Sequence, residues 1–297
     1  MRYTTKYIFY LPSICNTIML HWQSLSRLFR HTLVLFIMLF SISQTACNTP
    51  KHLIGKAYKK MNTTEKQLAD SMIAYALDHE AIYTLLDTLK PMSSVQFYRM
   101  PVLSTNKLQR DSAQQAITAI QHVVNQLSIG DYQFVFNPFE RTDSIYRNIE
   151  VYIFRKSRLQ SLINTHSSFY NQWGITATAN PATILAITEY ENKYDRWRSY
   201  GYLFGYPDYA VDFFVQAGKS QDSTKEFIQR DFFAIPVYAG EKGHFTYAVP
   251  KGYQTTQTDS MIYNKAKATL ENYKKIRTIF YDKNNRSPIK LWRRSIK

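Results

Sequence analysis

NTTEKQLADSMIAYALDHEAIYTLLDTLKP, residues 62–91, is the stretch on which the fold turns. Asn62 and Glu65 stand at capping-box spacing, where each side chain satisfies the other residue's free backbone N–H. Leu68, Met72, Tyr75, Ala76, Ile82, Tyr83 and Leu86 recur at helical spacing on one face, and Ile73 and Leu77 fall opposite. A helix that is apolar nearly all round belongs at the centre of a domain. Lys90-Pro91 stops it, because proline lacks the N–H a helix interior needs. The stretch predicts a body built around a buried helix.

Outward from that helix, SVQFYRMPVL (94–103) reads as a strand, followed by a helix over 106–127 with Ile117, Ile120, Val124 and Leu127 inward. Gly130-Asp131 turns the chain into DYQFVF, and NIEVYIF (148–154) alternates as another strand. A helix is expected over Leu159–Phe169. Asn180-Pro181 starts one that runs past Trp197 and breaks at Gly201. Pro207 opens a further helix, DYAVDFFVQA, closed by Gly218, and 234–238 and 244–249 form a hairpin over AGEKG. The last helix spans Asp259–Tyr281. Strands are few and do not alternate regularly with helices, so the expected class is α+β, a helix-rich single domain with a small, mainly antiparallel sheet. The domain is placed at 62–281, with a tether at 47–61 and a basic tail at 282–297.

The chain has 297 residues, 45% of them apolar and 20% charged, which excludes wholesale disorder. Its 23 tyrosines and 18 phenylalanines are the unusual feature. Tyrosine buries area while keeping a hydroxyl that needs a partner, so it suits ligand grooves as well as cores. The formal charge is +15. The tail residues Lys283, Arg286, Lys290, Arg293, Arg294 and Lys297 face only Asp282, a balance that suits solvent or an anionic lipid surface. No nucleic-acid partner is expected.

Arg27, Arg30 and His31 precede the apolar run LVLFIMLF (33–40) and then SISQTAC (41–47). A basic start, a short apolar stretch and a small residue before a cut describe a signal peptide over 1–46, with Met19 an alternative start. The run is too short to span a bilayer as a helix, which takes about 20 apolar residues. Ala46 before Cys47 resembles the lipobox of bacterial lipoproteins, although Gln44 stands where that motif usually has an apolar residue. The resemblance implies diacylglycerol on Cys47, removal of the leader, and residence in the cell envelope facing the periplasm. Cys15 falls in the leader, so the remaining body holds no disulfide and no thiolate metal site.

Three groups carry possible chemistry. His79, between Asp78 and Glu80, projects into the apolar stripe of the first helix, where a buried imidazole flanked by carboxylates can act as a base; the alternative is a hydrogen-bonded core histidine. Glu189 and Glu191 suggest glycosidic acid–base work, but residues i and i+2 of one helix point apart, and Glu189 is placed to pair with Lys193. The rings Tyr194, Trp197, Tyr200, Tyr202, Phe204, Tyr206, Tyr209, Phe213 and Phe214 are more than one small core needs. Around Gly201 and Gly205 they suit stacking on a sugar or peptide, with Trp197, Tyr202, Gly205 and Tyr206 as ligand-binding residues. A dense core segment is the competing reading.

Gly218-Lys219-Ser220 lacks the earlier glycine of a phosphate-binding loop, Glu241 and His244 lack the HExxH zinc spacing, and no G-x-S-x-G elbow occurs. No cofactor and no metal are expected. ALDHEAIYTLLDTLKPMSS (76–94) and GYLFGYPDYAVDFF (201–214) resemble segments of a group of bacterial exported proteins without an established activity, so the resemblance implies export and no site residue. The leading expectation is an envelope lipoprotein that binds a glycan or peptide through its aromatic surface. The alternative is an envelope hydrolase using His79 and Glu80 with Glu191.

Overall fold

The computed structural model describes residues 50–282 and 287–296, with the side chains of 241–244 and 282 left aside. The leader and Cys47 lie outside the described residues. The chain from Pro50 forms one unit of the helix-rich α+β class. Its elements are α1 (Pro50–Lys60), α2 (Thr63–Asp78), α3 (Ile82–Leu85), β1 (Met92–Met100), α4 (Lys107–Leu127), β2 (Tyr132–Thr142), β3 (Arg147–Arg155), α5 (Lys156–Thr165) and α6 (Ser167–Tyr170). There follow α7 (Pro181–Tyr190), α8 (Lys193–Leu203), α9 (Asp208–Thr224), β4 (Arg230–Val237), β5 (Gly240–Pro250), α10 (Gln257–Asp282) and α11 (Pro288–Ser295).

Three strands form an antiparallel sheet in the order β1-β3-β2, and β4-β5 form a separate hairpin. Side chains alternate across the sheet, and here both faces are covered. Val95, Phe134, Ile149, Val151 and Ile153 meet α2 and α4 in the larger core, which the hairpin and α10 extend. Val135, Tyr152 and Phe154 point the other way and meet Leu159, Ile163, Ile184, Leu185 and Leu203 from α5, α7 and α8. The sheet is therefore a wall between two apolar compartments.

Helix α2 begins as expected: Asn62 Oδ1 accepts from the Glu65 N–H, and the Asn62 N–H donates to Glu65, both at 2.9 Å. Ala69, Met72, Ile73, Ala76 and Leu77 are buried, but Tyr75 is 44% exposed, so the helix is buried on most sides and not on all. It stops at Asp78, well short of Lys90. His79 takes an extended conformation (φ −119°, ψ −162°) that turns Glu80 inward.

The long helix expected from Asn180 is two. α7 ends at Tyr190, and Asn192 caps α8 by accepting from the Asp195 N–H at 3.2 Å. Gly201 and Gly218 do not end helices. Each sits inside one, where a Cβ would lie 2.7 Å from Val211 Cγ2 or 2.3 Å from Trp197 Cζ3, so absence of a side chain permits close packing. The residue that closes α9 is Lys225, at φ +66°.

The spans expected as a tether (47–61) and a basic tail (282–297) each contain a packed helix among the described residues. α1 buries Ile54, and α11 buries Ile289, Leu291 and Trp292. The Trp292 ring meets Tyr132 and Phe134 edge-on, and Arg293 Nε donates to the Lys51 carbonyl at 2.8 Å. The cause is the spacing of Ile289, Trp292 and Ile296: three and four residues apart, they make one apolar helical face despite the basic residues between them. Among the described residues no helix is long and apolar enough to cross a membrane.

Candidate functional site

Two neighbouring cavities share Trp197, Tyr200 and Phe204 in their walls, and are termed the apolar and polar lobes of one groove. The apolar lobe, about 320 Å³, is completed by Tyr206 from the loop before α9, Val211 and Phe214 from α9, and Phe232 and Tyr247 from the hairpin. Phe214 is 36% exposed and Phe232 63% exposed, so rings stand open at its rim. The polar lobe, about 600 Å³, is lined by Phe139, Arg141, Glu150, Tyr152, Glu189, Lys193 and Arg196 beside the shared rings.

Local structure sets these positions. Trp197 and Tyr200 lie three apart on α8, the spacing that puts two side chains on one helix face. Gly205, at φ +75°, makes the turn after α8, and a Cβ there would meet the Leu89 carbonyl oxygen at 3.0 Å. That turn lets Tyr206 reach the hairpin, where its ring stacks on Phe245 with centroids 6.0 Å apart. Behind the groove, the fully buried Lys90 Nζ lies 5.0, 4.4 and 5.9 Å from the ring centroids of Phe204, Phe245 and Tyr206, and 2.5 Å from Glu80 Oε2. Burial pulls the Lys90 pKa below its ordinary value, and the Glu80 charge opposes that shift.

In the polar lobe, Glu150 and Tyr152 project from the same face of β3, and the Tyr152 hydroxyl donates to Glu150 Oε2 at 2.6 Å. Burial raises the Glu150 pKa, and the nearby charges of Glu80 and Glu189 push the same way against hydrogen bonds from Tyr152 and Ser94. Glu189, 7% exposed at the end of α7, accepts from the Glu140 N–H at 3.0 Å and from the Tyr200 hydroxyl. Lys193 pairs with Asp222 at 2.5 Å and not with Glu189, because the break after Tyr190 removes the helical register that would join them. Arg196 reaches Glu140 at 3.3 Å.

The residues singled out from the sequence are dispersed. Trp197 and Tyr206 line the groove. Tyr202 and Gly205 line a third cavity of about 230 Å³ with Arg158, His166 and Tyr206, where Tyr202 stacks on His166 at 3.9 Å between centroids. His79, Glu80 and Glu191 do not line the groove. His79 stacks on Tyr75, with Nδ1 2.9 Å from the Tyr75 carbonyl oxygen, so it caps a helix instead of entering the apolar stripe. Glu80 engages Lys90 and the Ser94 N–H. Glu191 accepts from the backbone and side chain of Asn192, both at 3.2 Å.

Sequence reasoning did not select Glu150, which becomes the partner of Glu189 in the polar lobe. Its signal was present: in NIEVYIF the alternation puts Glu150 on the face of Tyr152 and Phe154, an acid where an apolar residue is expected. Phe232 and Tyr247 carried no comparable signal, because only the folded hairpin brings them to α8 and α9. No family model matches the chain, and no curated protein and no solved structure matches it significantly.

Proposed function

We propose that this chain is an envelope lipoprotein, anchored through Cys47, whose body binds a glycan or a peptide in the groove between α8, α9 and the β4-β5 hairpin. The observation that carries this reading is the sharing of Trp197, Tyr200 and Phe204 by an apolar and a polar lobe, so that one ligand can use both. Binding sites are concave, mostly apolar and equipped with a few convergent polar groups, and this groove has those properties. The hydrolase reading through His79 and Glu80 is less favoured, since Glu80 neutralises a buried lysine and His79 closes a helix.

Substitution tests the groove. Trp197→Ala and Phe204→Ala are each expected to weaken ligand binding at least 10-fold, the equivalent of about 1.4 kcal/mol, while circular dichroism shows an unchanged fold. Binding that survives both substitutions in folded protein overturns the assignment.

A further inference from the structure

We infer that the polar lobe of the groove is a saccharide subsite, in which a pyranose lies against the shared aromatic wall with its hydroxyls donating to Glu150 and Glu189. The inference rests on the proposed groove and narrows its ligand to a neutral, hydroxyl-rich one.

Charge is the first argument. Two carboxylates, Glu150 and Glu189, and three cations, Arg141, Lys193 and Arg196, line the same lobe. Two of those cations are neutralised from outside the lobe, Lys193 by Asp222 and Arg196 by Glu140. What faces the cavity is a near-balanced set of donors and acceptors. An anionic ligand would meet the two carboxylates, and a cationic one would meet Arg141. A polyol both donates and accepts, so it satisfies groups of either sign without burying a net charge.

The second argument is an orphan amide. Asn137 on β2 is paired in register with Glu150 on β3, so the two side chains rise from the same face of the sheet. Asn137 is 4% exposed, and its Nδ2 has no hydrogen-bond partner. A buried donor left unsatisfied is costly, and although Asn137 is not itself in the wall of the lobe, its register partner Glu150 and Phe139, two residues along the strand, both are. A small shift of the Glu150 side chain on ligand binding would bring an acceptor, either that carboxylate or a ligand hydroxyl, within reach of it.

The third is the wall. Trp197, Tyr200 and Phe204 supply flat apolar faces, which suit the C–H face of a sugar ring, while the hydroxyls of Tyr152 and Tyr200 are already committed to Glu150 and Glu189. Those tyrosines hold the carboxylates in place and leave their remaining lone pairs for the ligand. The lobe's volume of about 600 Å³ falls within the ~300–1,000 Å³ of small-molecule sites.

Isothermal titration of the protein with three probes separates the possibilities: a β-linked glucose hexasaccharide, the corresponding N-acetylglucosamine hexasaccharide, and a hexapeptide of alternating alanine and tyrosine. The expected result is that at least one saccharide binds, that Glu150→Gln weakens it about 10-fold, that Glu189→Gln does likewise, and that Trp197→Ala weakens it further. If the peptide binds in a Trp197-dependent way and neither saccharide does, the saccharide inference falls and the groove stands. If no probe binds, both fall. Saccharide binding unchanged in both glutamine variants, each shown folded by circular dichroism, overturns the assignment of the polar lobe.

Discussion

Asp259 shows what single side chains contribute to this molecule. It is fully buried near the start of α10 and accepts hydrogen bonds from the hydroxyls of Tyr209, Tyr247 and Tyr253. The Thr256 N–H and hydroxyl add to these at 2.7 and 2.8 Å. Burial pushes its pKa up, but the three tyrosines and Thr256 outweigh burial and hold it far below the usual carboxylate range. A depressed carboxylate stabilises the fold above its unfolded pKa of roughly 4, and that stability is lost as pH falls through the lower folded value. Asp259→Asn keeps one acceptor oxygen and removes the charge, so it should cost about 2–3 kcal/mol in urea unfolding at pH 7. The cost should shrink when the comparison is repeated near pH 2. An equal cost at both values would refute the assignment. The helix start near Asp259 was legible in the sequence, but the tyrosine partners were not: Tyr209 lies 50 residues away in sequence.

At the scale of elements, the helix formers and strand alternations were readable because each depends on neighbours within a few residues. Asn62 and Asn180 cap helices where the sequence places them, and Asn106 caps the helix expected from that position. What failed was the reading of glycine as punctuation. Gly201 and Gly218 are helix-interior residues whose missing side chains admit Val211 and Trp197, a requirement of tertiary packing that no local pattern carries. The same limit hid the docking of α11, where basic residues dominated the composition while Ile289, Leu291 and Trp292 formed the buried face. Gly218→Ala tests the packing claim. Its methyl would sit 2.3 Å from the Trp197 ring, so the ring must shift toward the groove. The expected cost is about 1–3 kcal/mol, together with a change in Trp197 emission. An unaltered spectrum at unaltered stability would show that Trp197 does not rest on α9.

For the whole molecule, two compartments on either side of a three-stranded wall leave α8, α9 and the β4-β5 hairpin to frame the groove. The aromatic wealth of residues 194–214 was visible at once, but its division was not. Some rings line the groove, Tyr209 serves Asp259, and Tyr202 packs with His166. Residue type is the same in each case; direction of projection decides the role, and that follows from the α7–α8 break and the Gly205 turn. The anchoring proposal makes its own prediction at this scale. Intact-mass spectrometry of protein extracted from its native membrane should show a chain beginning at Cys47 with diacylglycerol attached, and an unmodified cysteine behind a retained leader would contradict it.

The claim that the groove is the binding surface is tested most directly by fluorine NMR of protein labelled with 5-fluorotryptophan and titrated with the oligosaccharide or peptide that binds. Trp197 lines the groove, whereas Trp292 is buried in the larger core and Trp173 packs on Phe169. The Trp197 resonance should move with ligand concentration while those of Trp173 and Trp292 stay fixed. Saturable binding that leaves the Trp197 resonance where it was would place the ligand elsewhere on the molecule.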